Sequence, residues 1–299
     1  MAISNNAYAT YSTNSSYTNP IIWSPEAEKY IYENSVFLQF GMEKLDQLDR
    51  PGRQYNLHLT GKSSLGRLTE GVATPVSART YTEVTVVFYG YGDAKQITEE
   101  EMVTGSGFVG NINDIYYDAL GAWAENRDSV IVTELMTTSS TGIYPNGKAS
   151  GTINSDDTLN TTMIADVVST MKTTQARKCM GIVIHPAQEN SLLKLPNFVN
   201  ASQYGANTII LNGEIGNYLG TKIVVSNNIT TATENSTTVY KAIALGQKPF
   251  VFMPKKRFTF MMGRENIRER AITFHYWEMF GVSIFKDAAV IVLTSAGGI

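Results

Sequence analysis

Apolar and polar positions change their period several times along this chain, and each change marks a new element. Residues 1–23 follow neither the helical nor the strand period. They are rich in Ser, Thr and Asn, carry no charge, and hold Tyr8, Tyr11, Tyr17 and Trp23. That is the pattern of an extended arm. Ser24 and Pro25, followed by Glu26 and Glu28, make a helix start: a capping hydroxyl, a proline suited to the first turn, and acids at the positive end of the helix dipole. This helix is expected to run to about Asp46, before Pro51 and Gly52 break it. From Arg53 the period becomes two. Tyr55, Leu57 and Leu59 alternate with polar residues, and a second strand, from Thr82 to about Tyr91, carries Val84, Val86 and Phe88 on one face. With Gly61, Gly66, Gly71 and Pro75 between them, the two strands read as a long ribbon. A two-stranded ribbon alone is marginal in water, so it needs a surface, on its own chain or on a neighbouring copy.

The period then returns to 3.6. Thr98 to Glu101 reads as an acidic helix start, and Gly105, Gly107 and Gly110 interrupt it. Beyond them Phe108, Ile112, Ile115, Tyr116, Ala119, Leu120 and Trp123 recur at helical spacing, continuing more weakly through Val130, Ile131 and Leu135. At about 1.5 Å per residue this is a rod of roughly 42 Å, far longer than an ordinary helix. Residues 137–158 form a Thr/Ser/Gly-rich loop. A helix with Met163, Ile164, Val167, Val168 and Met171 on one face comes next. A strand at 180–184 leads into a helix begun by Pro186, and short strands are expected near 208–211 and 222–226. Strands are also expected at 239–245, 250–253, 258–262, 271–277 and 288–293. The fold class is therefore α+β.

Composition narrows the function. The 299 residues are enough for one or two domains. Apolar residues make up 43% and charged residues only 17%, against about 25% in an average soluble protein. A surface poor in charge has little to oppose association with further copies. The net charge of −3 and pI near 5.7 argue against a dedicated nucleic-acid binder. Cys179 is the single cysteine, which excludes an intrachain disulfide and a cysteine metal cage. Neither a signal peptide nor a transmembrane helix is indicated, so no membrane contact is expected.

The motifs carry little chemistry. Gly105 to Gly110 matches G-x-G-x-x-G by letter, but acidic, helical residues precede it where a dinucleotide site needs a buried strand. The glycines read instead as a joint at the root of the long helix. Gly61-Lys62-Ser63 lacks the first glycine of a phosphate loop, since Asn56 stands there. His185 and Glu189 are one helical turn apart, with no second His or Cys near to complete a metal site. Asp156 and Asp157 read as helix capping. No catalytic, cofactor-binding or metal-binding residue is expected, and the chain is not expected to be an enzyme. Lys255, Lys256 and Arg257, with Arg264, Arg268 and Arg270, are the one basic concentration, and Glu265 and Glu269 are interleaved with it. Arg53, Lys62, Arg67 and Arg79 make the ribbon a slightly basic projection.

The order of these elements, with the stretches TEGVATP, YGYGDAKQITEE and GNYLGTKIVVS, resembles the tailed-bacteriophage major capsid proteins. The resemblance covers essentially the whole chain and implies the Hong Kong phage-type capsid fold. It implies an N-terminal arm (1–23) and a peripheral domain (24–137), with an extended E-loop (50–97) and a spine helix (108–136). A compact α/β axial domain (138–245) and C-terminal strands shared between the two domains (246–299) complete the division. The implied function is a shell protein that assembles into hexamers and pentamers of an icosahedral capsid around double-stranded DNA. Alternatives are an encapsulin-like nanocompartment shell and a tail or adhesin protein. The implied partners are other copies of itself, separate scaffolding, portal and decoration proteins, and packaged DNA on the inner face. The implied location is the virion, after assembly in the bacterial cytoplasm. Tyr8, Tyr11, Tyr17, Trp23, Arg53, Lys62, Arg67, Arg79, Lys255, Lys256, Arg257 and Arg264 are the expected contacts between copies. Gly105, Gly107 and Gly110 are the expected hinge.

Overall fold

A computed structural model of the chain describes residues 21–22, 25–60, 70, 81–98, 100, 108–139, 141–174, 178–195, 217–263 and 271–297. The first strand, β1 (Ile21–Ile22), is followed by α1 (Pro25–Asn34), which is shorter than the expected helix to Asp46. At its end the Ser35 hydroxyl and the backbone N–H groups of Val36 and Phe37 all turn to the Asp128 carboxylate. Phe37 and Leu38 are then buried in the core, and the chain enters β2 (Met42–Glu43). A dense apolar run with a buried acceptor waiting for its N–H groups is better satisfied as a turn than as more helix.

The ribbon strands are β3 (Gln54–Thr60) and β4 (Tyr81–Val87), paired antiparallel. The expected second strand proves to be two: after a break at Phe88, β5 (Tyr89–Thr98) joins a different sheet. Thr98 therefore closes a strand where a helix start was expected. The long helix α2 (Phe108–Thr138) spans 31 residues. Next come β6 (Gly142–Ile143), α3 (Thr161–Thr173), β7 (Gly181–Ile184) and α4 (Pro186–Leu193). Asn160 caps α3, accepting from the N–H of Met163 at 2.9 Å. Asp157, expected as a cap, instead accepts from Lys148 Nζ at 2.5 Å and from the Asn154 N–H at 2.8 Å, which ties the preceding loop together. The remaining strands are β8 (Asn217–Tyr218), β9 (Thr221–Val225), β10 (Thr231–Glu234), β11 (Thr237–Leu245), β12 (Phe250–Gly263), β13 (Ala271–Ile284) and β14 (Val290–Ala296). The two strands expected within 250–262 are one, carried past two register shifts between Pro254 and Thr259. The strand expected near 208–211 lies outside the described residues.

Among the described residues there are two larger sheets. The five-stranded one runs β1-β12-β13-β5, with β2 parallel to β12. The seven-stranded one runs β6-β14-β11-β7-β9-β8, with β10 on β11. Strand β7 reads as an unbroken apolar run because both of its faces are covered. Ile182 and Ile184 pack with Met163, Val167 and Met171 of α3, while Val183 faces Ile131, Leu135 and Phe252. On β13, Phe274, Tyr276, Glu278 and Phe280 share one face by the two-residue period, and each is buried. Helix α2 crosses that face with the stripe Leu120, Trp123, Ala124, Arg127, Asp128, Ile131 and Leu135, all buried.

Candidate functional site

The ribbon is fixed at one end. Pairing runs from Gln54↔Val87 at the root to Thr60↔Tyr81 at its outer described end. At the root, Leu57, Val86 and Phe88 are buried against Val251 and Met253 of β12. Gly281 of β13 makes this approach possible. A Cβ there would sit 2.5 Å from the Val87 carbonyl oxygen and 2.7 Å from Val86 Cγ1, distances that no side chain tolerates. Farther out the packing stops, and Tyr81 is 63% exposed. The support that the ribbon needs is thus supplied by its own chain at the root, and its outer described residues are exposed.

The root also gathers basic residues that are far apart in sequence. The Phe88 N–H donates to the Arg53 carbonyl at 3.0 Å, and the Asp49 N–H donates to the Lys255 carbonyl at 2.9 Å. Lys256 Nζ lies 3.6 Å from Asp49 Oδ1, an exposed pair. Lys255, by contrast, is buried, with its Nζ 4.7 Å above the centre of the Phe88 ring. Arg53 is exposed and Arg257 half-buried. The structure therefore brings Arg53, Lys255 and Lys256 to one place. Tyr8, Tyr11, Tyr17, Trp23, Lys62, Arg67, Arg79, Arg264, Gly105 and Gly107 lie outside the described residues. Gly110 falls in the first turn of α2, inside the helix.

Three buried polar contacts were not expected from the sequence. Arg127 of α2 grips Glu278 of β13: its Nε lies 2.9 and 3.1 Å from the two carboxylate oxygens, and its Nη2 also donates. The guanidinium also lies over the Phe252 ring. Asp128 holds the turn after α1, and burial pushes its carboxyl up against the opposing pull of its three donors. The Lys148 ammonium and the Asn154 N–H hold Asp157 below the ordinary carboxylate value. A signal for the first two existed: charged residues at positions where the apolar periods of α2 and β13 demand core side chains. Between α2 and β5 runs a trough of about 390 Å³ lined by Tyr91, Asp93, Trp123 and the Arg127–Glu278 pair. Strand β5 forms an outer edge of its sheet, and β1 adds the last residues of the arm to the opposite edge by pairing Ile21 and Ile22 with Met261 and Phe260.

His185, the one candidate for site chemistry among the histidines, has a structural role here. His185 Nδ1 accepts from the Ala187 N–H at 3.1 Å as the cap of α4, and its ring stacks on Tyr240 at 4.3 Å between centres. Among the described residues no three His, Cys, Asp or Glu side chains come together as a metal site. What the geometry offers is a projection, a basic root and open sheet edges, all of them surfaces for contact.

The family model for phage capsid proteins matches residues 81–293. The chain belongs to the phage capsid protein family. None of the curated proteins matches this phage capsid protein. Solved structures similar to it include the capsid of the cyanophage P-SCSP1u, with TM-score 0.69 and 13% identity over 88% of this chain and 89% of that one. The head structure of Helicobacter pylori bacteriophage KHP40 gives TM-score 0.65 at 12% identity, over 87% of this chain and 91% of that one. A Mycobacterium phage Che8 structure gives 0.61 at 17%, over 81% and 85%. At these identities the likeness is one of fold, and the fold is the Hong Kong phage-type capsid fold expected from the order of elements. As a major capsid protein the chain is a structural component of the virion shell, and the nanocompartment and adhesin alternatives are not favoured.

Proposed function

We propose that this capsid protein tiles into pentamers and hexamers of an icosahedral shell around packaged double-stranded DNA, and acts as a structural protein rather than an enzyme. The observation that carries this reading is the ribbon. Its root is bound to its own sheet, while the outer described residues of its alternating strands are exposed. A ribbon of this kind is marginal until it rests on something, and a sister copy supplies that surface in a closed shell. Residues 1–23 serve as an arm, 24–137 as the peripheral domain, 138–245 as the axial domain, and the strands after 246 are shared between them. The uncharged arm and the aromatic residues Tyr8, Tyr11, Tyr17 and Trp23 lie against neighbouring copies. Arg53, Lys62, Arg67, Arg79, Lys255, Lys256, Arg257 and Arg264 contribute contacts to acidic surfaces of those copies or to DNA on the inner face. Gly105, Gly107 and Gly110 supply the flexing between pentamer and hexamer. Assembly takes place in the bacterial cytoplasm, with separate scaffolding, portal and decoration proteins as further partners.

Purified protein viewed by negative-stain microscopy, beside size-exclusion chromatography, tests the reading. Closed shells or ring-shaped capsomers are expected. A population that remains a single subunit at every concentration and salt tested would overturn it.

A further inference from the structure

The loop between β6 and α3 holds an Asn-Gly pair in a turn that is open to water. Pro145, Asn146, Gly147 and Lys148 close on themselves, with the Lys148 N–H donating to the Pro145 carbonyl at 3.0 Å. Asn146 stands at φ 53°, ψ 27° and Gly147 at φ 69°. Both central residues are thus left-handed, the mirror-image turn that Asn-Gly favours. Both are exposed. The Gly147 amide takes no part in the bond that closes the turn, and with no Cβ on Gly147 nothing shields its nitrogen from the Asn146 side chain. Behind the turn lies the buried Asp157 carboxylate. It accepts from Asn146 Nδ2 at 3.4 Å and from Lys148 Nζ at 2.5 Å, so one carboxylate holds the residues on either side of Gly147. Asp157 is itself anchored, since its carbonyl accepts from the Ala296 N–H of β14 at 2.8 Å.

We propose that Asn146-Gly147 is a site of spontaneous self-modification through a succinimide, and that the tie to Asp157 sets its rate. The Gly147 peptide nitrogen gives up its proton and attacks Asn146 Cγ. The Cγ–Nδ2 bond breaks, and the side-chain nitrogen leaves as ammonia with that proton. Water then opens the five-membered imide at one carbonyl or the other, leaving aspartate or isoaspartate. Water is the only co-reactant. At ψ 27° the Gly147 nitrogen lies on the far side of the Cα–C bond from the Asn146 Cβ, so ring closure requires rotation about that bond. The rotation breaks the Lys148–Pro145 bond and loosens the contacts to Asp157. The carboxylate is therefore a brake on the reaction. Each conversion adds a negative charge to a chain of net charge −3. It also sets a second carboxylate beside Asp157, where like charges repel and compete for Lys148. The site needs no second copy of the chain and stands apart from the shell reading.

The test is peptide mapping by mass spectrometry of the full-length protein, held folded at neutral and at mildly alkaline pH, with the free pentapeptide of residues 144–148 followed in parallel. Aspartate and isoaspartate are expected to accumulate at position 146. The reaction is expected to run faster at the higher pH, because the attacking nitrogen must lose its proton, and slower in the folded protein than in the pentapeptide. Mapping separates this site from Asn212-Gly213, the other Asn-Gly of the chain, which lies outside the described residues. Asp157→Asn is expected to raise the rate in the folded protein about tenfold, the worth of a hydrogen bond to a charged group. Lys148→Met cuts the same tie from the other side and is expected to act alike. Circular dichroism and melting show that each variant is folded when its rate is read. Asn146 left intact in the folded protein after the pentapeptide has been converted would overturn the proposal. So would rates in the folded variants equal to that of the wild type, since the tie would then have no part in the reaction.

Discussion

The buried charges are the residues whose replacement separates structure from surface. Arg127 and Glu278 are 4% and 2% exposed and hold α2 to β13. Removing one partner strands the other in the core, so Glu278→Ala is expected to cost about 3–5 kcal/mol. Replacing both by apolar residues of similar size is expected to recover most of that loss, and urea unfolding midpoints of the single and double variants measure both. Asp157 provides a pH-dependent case. Its carboxyl is held below the ordinary 3.8 by Lys148 and the Asn154 N–H. Its stabilisation is therefore fully present above that ordinary, unfolded-state value, and is lost as the pH falls from there through the lower folded one. Asp157→Asn is expected to cost about 2 kcal/mol at neutral pH, the worth of hydrogen bonds to a charged group. The gap between wild type and variant is expected to close as the pH falls below the ordinary 3.8. A gap that stays constant as the pH falls would show that Asp157 acts by shape alone. Gly281 acts through what it lacks. Gly281→Ala places a methyl group against Val87 and Val86, with an expected cost of about 1–3 kcal/mol for overpacking and faster hydrogen exchange in β3 and β4.

At the scale of elements, what the sequence disclosed depended on whether one period held. Strands β3 and β7 and helix α3 are visible because their apolar positions keep a single spacing. The end of α1 was not visible, because the acceptor that turns the chain there, Asp128, lies 91 to 93 residues away on α2. The second half of α2 looked weak for a related reason: Arg127 and Asp128 occupy core positions, so a count of apolar residues misses two steps of a continuous stripe. Strand β5 was merged with β4 because both alternate, and only the change of partner at Phe88 separates them. Of the candidate contact residues, the meeting of Arg53 with Lys255 and Lys256 was hidden from the sequence, since it depends on the pairing of distant strands. The ribbon is the element whose role can be isolated. Thr60 and Tyr81 are paired, so residues 61–80 can be replaced by Asn-Gly, a two-residue turn that fits the strand twist. Because the root is packed against Val251 and Met253, the shortened subunit is expected to keep its circular dichroism spectrum and its cooperative melting. If the outer ribbon rests on sister copies, the same protein forms no shells by electron microscopy. Shells of normal size and yield from the shortened chain would remove the ribbon from the assembly contacts.

Across the whole molecule, the question is whether the two large sheets behave as one body. A cluster containing Phe37, Ile131, Leu135, Val183, Ile243, Phe250, Phe252 and Phe280 draws on both sheets, on α2 and on the turn after α1. These side chains are 0–3% exposed. They bury the inner face of β7 and β11 together with the helix-facing side of β12 and β13, so neither sheet can open without exposing the other's core. A shell subunit gains from this. Load applied at a contact on one sheet reaches the other through packed side chains rather than through a hinge, and a contact repeated around a closed assembly keeps its geometry from copy to copy. The coupling is measurable in solution. Trp123 and Trp277 both belong to the five-stranded side, on α2 and β13, so with the third tryptophan, Trp23, replaced by Phe their fluorescence reports that end, while far-ultraviolet circular dichroism reports the helices and strands of both. For the unassembled subunit the two signals are expected to give one midpoint in urea, since coincident probes mark a single cooperative transition. Leu135→Ala removes a fully buried side chain from the cluster that joins the sheets. It is expected to cost about 2–5 kcal/mol and to begin separating the two midpoints. Midpoints already apart in the wild-type subunit would mean that the sheets are independent bodies, and that α2 links them without welding them.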